Sequence, residues 1–256
     1  MRKSSLRWPR EGILTALLIS VAVICLCLFA GDYCARAEEP LPDPTAPPQP
    51  LAFALPYLQQ NPDTVGWLKV GNIIDTPVVQ GEGDFYLHHS FSGAESSAGT
   101  VFLDEECPIF PKGEHLLLYG HNMRNGTMFG ELDRYRDLSF LKANSVITFD
   151  TIYEEGKYVV VAVFDISGET EDRHFMQMLR FNFVDNEDFM TFYFDARWKS
   201  YFKIPVDVRY GDKLLTLITC SYSLYDGRLI VMLREIRPDE DPQEIVALMQ
   251  STESKK

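Results

Sequence analysis

Paired cysteines, metal-ligand spacings and positive charge are all scarce in this 256-residue sequence, and each shortage removes a class of function. Of five cysteines, Cys25 and Cys27 fall in an apolar run near the N-terminus and Cys34 follows it. Only Cys107 and Cys220 remain for a globular core, which excludes a small scaffold stapled by disulfides. No CxxC pair and no Cys/His cluster with zinc spacing occurs. His88 and His89 are adjacent, but neighbouring side chains on an extended chain point apart, so no metal is expected there. No cofactor motif is present either. Basic residues number 24 against 37 acidic, for a formal net charge of −13. Beyond residue 30 the count is 20 basic against 36 acidic, an excess of 16 negative charges. Nucleic acid is excluded as a partner, because a phosphate-binding surface needs a basic patch. There is no internal repeat.

What the sequence does have begins with residues 13–30, an uncharged run of Leu, Ile, Val, Ala and Cys preceded by Arg2, Lys3, Arg7 and Arg10. Its 18 residues are at the lower edge for a spanning helix, and the basic flank puts the N-terminus in the cytoplasm. Ala35-Arg36-Ala37 offers the pattern of a signal-peptidase site, but the run is long for a signal peptide's apolar region. The expectation is a basic tail at 1–12, a transmembrane anchor at 13–30, a stalk at 31–50 and a globular domain at 51–256. The chain would then be a single-pass protein of the cell membrane with its domain outside. EEPLPDPTAPPQP at 38–50 suits an extended, semi-rigid spacer.

The domain reads as short β-branched and aromatic runs separated by turn residues. They are Ile73 to Val79, Thr100 to Asp104, His115 to Tyr119, Val146 to Asp150, Lys157 to Ile166, Leu214 to Thr219 and Arg228 to Ile236. That spacing predicts a mainly β protein with a closed or nearly closed core. Two segments depart from it. Residues 51–60 form a short helix stopped by Asn61-Pro62. Residues 186–203 place Phe189, Phe192, Tyr193 and Ala196 on one helical stripe, with Asp185 as cap.

Chemistry concentrates in two places. In LLTLITCSYSLYDGRLIVM (214–232) an apolar strand delivers Cys220 at its end, a polar turn follows, and a second strand opens with Arg228. In HLLLYGHNMRNGTMFG (115–130) a strand ends at Tyr119-Gly120 and presents His121 at the edge of a loop, while His115 reads as structural or exposed. Metal-free peptide-bond chemistry needs a nucleophile, a proton-transfer group and a partner for the oxyanion. A thiol, an imidazole and a guanidinium supply these. No carboxylate in the two segments is an obvious third triad member.

Tyr119-Gly120-His121-Asn122-Met123, Gly126-Thr127-Met128-Phe129-Gly130, Thr216-Leu217-Ile218-Thr219-Cys220-Ser221 and Asp226-Gly227-Arg228 resemble the motifs of class B sortases. So do Asn61-Pro62-Asp63-Thr64-Val65-Gly66-Trp67 and Thr76-Pro77-Val78-Val79-Gln80. The resemblance covers roughly residues 55–236 in the family's order. It implies a closed eight-stranded sortase β-barrel with N-terminal helices and one inserted helix near 186–203. It implies Cys220 as nucleophile, His121 as proton-transfer partner and Arg228 as the oxyanion-side cation. Asn122, Thr219, Ser221 and Tyr222, beside these, are the substrate-binding candidates. The implied reaction is cleavage of an NPxT or xPxT-like sorting signal after Thr, through a thioester. A surface protein is thereby joined to the amine of a cell-wall peptide precursor. Asp104-Glu105-Glu106-Cys107-Pro108 departs from the family pattern, where aromatic and basic residues are usual.

Other readings are pilin polymerisation within the same class, a cysteine protease or amidase, and a non-catalytic binding module. Proteases and amidases usually place the cysteine before the histidine, and here His121 comes first. Asn61-Pro62-Asp63-Thr64 imitates a sorting signal but is explained as a helix stop and turn.

Overall fold

The computed structural model describes residues 46–167, 177–223 and 226–255. The basic tail, the apolar run 13–30 and the stalk up to Thr45 lie outside the described residues. The expected single-pass membrane placement is corrected: no helix among the described residues is long and apolar enough to cross a membrane. The longest is 14 residues, a rise of about 21 Å against a hydrocarbon layer of roughly 30 Å.

Eight strands close into a barrel: β1 (Thr64–Val70), β2 (Ile74–Val79), β3 (Phe102–Leu103), β4 (His115–Tyr119), β5 (Val146–Thr151), β6 (Lys157–Ser167), β8 (Leu214–Ser221) and β9 (Gly227–Glu235). Around the barrel they run β1-β2-β3-β4-β8-β9-β6-β5, and β5 returns to β1. Two further strands, β7 (Phe202–Lys203) and β10 (Glu253–Ser254), form a separate pair. Among the described residues the helices include α1 (Leu55–Gln60), α2 (Leu138–Ala143), α3 (Asn186–Lys199) and α4 (Pro242–Met249).

Burial follows the sequence pattern. β5 alternates, with Ile147, Phe149 and Thr151 inward, as a strand covered on one face does. β6 and β8 are almost continuously buried, which explains their unbroken apolar runs. β1 was not expected, because TVGWLKV mixes polar and apolar positions without a clean period. Its pairing with β2 shifts register between Thr64 and Gly66, and a Cβ at Gly66 would stand 2.4 Å from the Asp150 carbonyl oxygen of β5. Only glycine lets β1 and β5 approach there.

α3 is the inserted helix. The Asp185 side chain accepts from the Asp188 amide at 2.9 Å, a cap worth about 1 kcal/mol, and Phe189, Phe192, Tyr193 and Ala196 are buried. It ends at Lys199 rather than continuing to Lys203, because Phe202 and Lys203 pair with β10.

Candidate active site

Topology brings the site together. β4 and β8 are parallel, with His115 opposite Leu214 and Tyr119 opposite Ile218, so both strands end at the same rim. The pairing runs on past β4: the Gly120 amide donates to the Ile218 carbonyl at 3.2 Å, and Thr219 Oγ1 donates to the Gly120 carbonyl at 2.7 Å. Continuing that register sets His121 beside Cys220. On the other side β9 is antiparallel to β8 and pairs Arg228 directly with Cys220. Three neighbouring strand ends thus hold a histidine, a cysteine and an arginine in a row.

These three residues line one cleft of about 420 Å³ with Tyr119, Ile218 and Thr219. Leu87, Phe102 and Leu179 add apolar wall, and Asp84, Asp104 and Glu105 bring carboxylates to it. Cys220 is exposed while Thr219 and Ser221 on either side are buried. Its carbonyl accepts from Asn122 Nδ2 at 2.8 Å. The loop carrying His121 folds back on itself. The Met123 and Phe129 amides both donate to the His121 carbonyl, Phe129 is fully buried, and a Cβ at Gly130 would meet the Met123 carbonyl oxygen at 2.1 Å.

His121 Nε2 lies 2.8 Å from the Leu87 carbonyl oxygen. A carbonyl can only accept, so Nε2 carries the proton and Nδ1 is the atom left for exchange. Arg228 Nη1 donates to Asp226 Oδ1 at 2.7 Å and to the Asp226 and Gly227 carbonyls at 3.1 Å. Among the described residues, Arg228 Nε and Nη2 make no hydrogen bond.

Of the four residues expected to touch substrate, only Thr219 lines the cleft. Asn122 and Tyr222 border a second, polar hollow of about 320 Å³ with Arg124, Glu131 and Asp133. The Ser221 hydroxyl bonds Arg136 at 2.9 Å instead. Sequence reasoning passed over Leu87 and Leu179, because nothing local in an apolar residue says that a distant strand end will face it. The acidic Asp104-Glu105 departure was visible, and both residues are on the cleft wall. Asp104 accepts from the Tyr119 hydroxyl at 3.1 Å; burial, with that carboxylate beside it, pushes the phenol pKa well up. Cys107 is buried, its thiol donates to the His115 carbonyl, and burial pushes its pKa up to about 12.

An exposed thiol at a barrel strand end, in a cleft with an imidazole and a guanidinium, describes a cysteine acyl-transfer enzyme. The comparisons specify which. The Sortase domain family matches residues 69–236. Sortase B of Listeria monocytogenes is 31% identical over 178 residues, covering 67% of this chain and 69% of that protein. The crystal structure of Clostridium perfringens sortase B is 33% identical with a TM-score of 0.66, covering 72% of this chain and 99% of that one. A Staphylococcus aureus sortase B–substrate complex is 28% identical with a TM-score of 0.65, covering 72% and 85% respectively. The chain belongs to the sortase family, on its class B branch, and is a cysteine transpeptidase.

Proposed function

We propose that this transpeptidase cleaves an NPxT or xPxT-like sorting signal after Thr and joins the released protein to the amine of a cell-wall peptide precursor. The observation that carries the reading is the row of His121, Cys220 and Arg228 at three adjacent strand ends on one cleft. The likeness to sortase B proteins, one of them seen in a substrate complex, supports it.

In this reading Cys220 passes its thiol proton to His121 Nδ1, and Sγ, as thiolate, attacks the Thr carbonyl carbon. Arg228 presents Nε and Nη2 to the carbonyl oxygen as it gains charge, and its tether to Asp226 holds the guanidinium in place beforehand. His121 Nδ1 delivers a proton to the leaving nitrogen as the C–N bond breaks, and its Nε2–H bond to Leu87 fixes the ring. The product is a thioester on Cys220. The incoming amine gives up its proton to His121, attacks the same carbonyl, and the C–S bond breaks to restore the thiol. The apolar wall of Leu87, Phe102 and Leu179 receives the extended peptide; Thr219 lies beneath it, and Asn122 and Tyr222 stand at its margin.

The test offers the purified chain a set of signal peptides with a wall-peptide amine and a pilin-type lysine peptide, and reads products by mass spectrometry. A product joined to the wall amine after Thr is expected. A product joined only to the pilin lysine would replace anchoring by pilin polymerisation, and cleavage elsewhere in the peptide would remove the signal assignment.

A further inference from the structure

Behind Cys220 lies a polar cluster that the reaction as described does not use. Arg136 ends a 3₁₀ turn, Gly130–Arg136, between the His121 loop and the barrel wall. Its Nη2 donates to Asp165 Oδ1 at 2.6 Å, and its Nε reaches Asp165 Oδ2 at 3.3 Å. The same Nη2 donates to Ser221 Oγ at 2.9 Å and Ser223 Oγ at 3.2 Å, and Nη1 donates to Asp133. Asp165, on β6 and nearly buried, also accepts from Ser223 Oγ at 2.8 Å and from the Tyr201 hydroxyl. Burial pushes the Asp165 carboxyl pKa up, but hydrogen bonds from Arg136, Tyr201 and Ser223 outweigh it and the net shift is down. The carboxylate is therefore held ionised opposite a permanent cation.

The cluster reaches the nucleophile from two directions. Asp133, bonded to Arg136, also accepts from Asn122 Nδ2 at 3.4 Å, and the same amide nitrogen holds the Cys220 carbonyl. On the other side, Ser221 and Ser223 are the residues one and three positions past Cys220. Successive side chains on a strand point to opposite faces: Cys220 is exposed, and Ser221 is buried against Arg136. Arg136 is the shared member of both paths, and a planar fork with five donors suits such a junction better than a point charge.

We propose that Arg136, oriented by Asp165, is a positioning residue for Cys220, fixing the strand end on both sides of the thiol so that Sγ stays in register with His121 and Arg228. The proposal rests on Cys220 being the nucleophile. A misplacement of about 1 Å at a reacting atom costs on the order of 10²-fold in rate, which is the scale of loss expected when the junction is removed.

The experiment measures kcat and KM separately for peptide cleavage by the full chain and its Arg136→Gln, Asp165→Asn and Ser221→Ala/Ser223→Ala variants, at a temperature well below each variant's unfolding midpoint. Arg136→Gln is expected to lower kcat by about 10²-fold with KM nearly unchanged. Adding the two serine changes to Arg136→Gln should lower kcat by less than they do in the wild type, because the Arg136 contacts they remove are already gone. Arg134→Ala on the same turn, whose guanidinium pairs with half-buried Glu131 and lies over the Phe140 ring, should keep the wild-type kcat. Wild-type kcat in Arg136→Gln, or full additivity with the serine variants, overturns the proposal. If Arg136→Gln does not fold, Ser221→Ala/Ser223→Ala carries the test: lowered kcat at constant KM supports the proposal and unchanged kcat refutes it. Cys220→Ala run alongside separates the layers. Turnover there would remove the nucleophile reading, whereas a dead Cys220→Ala beside a fully active Arg136→Gln removes only the positioning role.

Discussion

The β4–β8 pair carries a histidine at each end, His115 at the start of β4 and His121 just past its finish, with Cys107 near the first and Cys220 beside the second. At the closed end His115 is fully buried. Its Nδ1 meets the Arg180 carbonyl and its Nε2 meets Thr216 Oγ1, both at 2.7 Å, and burial lowers its pKa to about 4. Cys107 below it is a neutral thiol at ordinary pH. At the open end His121 has one nitrogen tied to a carbonyl and faces a cleft, and Cys220 is exposed. In the proposed reading the same two residue types are packing groups at one end and chemical groups at the other. The difference is whether the second ring nitrogen and the sulfur can reach anything but protein.

Exchanging or deleting members of the two ends should break that contrast in a graded way. His121→Ala is expected to lower turnover by 10²–10⁴-fold, the usual loss of a general acid–base, with stability nearly intact; peptide-cleavage kinetics check it. Arg228→Lys should cost about 10²–10³-fold in kcat, as losing an oxyanion donor does, because an ammonium cannot keep the Asp226 tether and also reach the carbonyl. Full activity in that variant would dissolve the oxyanion assignment.

The closed end should respond in stability instead. The folded pKa of His115, about 4, lies below the usual 6.5, so the fold favours the neutral ring. That contribution is complete above pH 6.5 and is lost as pH falls toward 4, where both states become protonated. The shift corresponds to about 3 kcal/mol. Urea titrations of wild type and His115→Gln across that window should show a steeper acid loss for wild type. Parallel curves would mean that the ring is not buried as described. The smallest effect is expected for Cys107→Ala: wild-type turnover and a stability loss of about 1 kcal/mol from the missing buried sulfur, read by the same assays.

Much of the open end could be seen in the sequence, and less of the closed end. β4, β8 and β9 are continuous apolar runs, so their ends, and with them His121, Cys220 and Arg228, are marked by abrupt changes to polar turn residues. His115 was ambiguous because its burial comes from afar: Phe183 stacks on its ring and Phe192 packs edge-on, and both come from the segment around α3. β1 was hidden by its mixed pattern and irregular register. α2 and α4, of six and eight residues, are too short to show a helical period. The Arg136 junction was illegible for the same reason as His115. Its partners Asp165 and Ser221 are 29 and 85 residues away, and only the closed barrel brings them to one point. The membrane placement, argued from the apolar run 13–30 and its basic flank, is contradicted by the lack, among the described residues, of any helix long and apolar enough to cross a membrane.

The account stands most directly on which sulfur carries the acyl group. The chain is mixed with a signal peptide and no amine, quenched in acid within a turnover, digested and analysed by mass spectrometry. The account predicts a thioester linking the peptide's fragment ending in Thr to the segment containing Cys220, with the Cys107 segment unmodified. Turnover with no adduct on Cys220, or an adduct on any other residue, would contradict it.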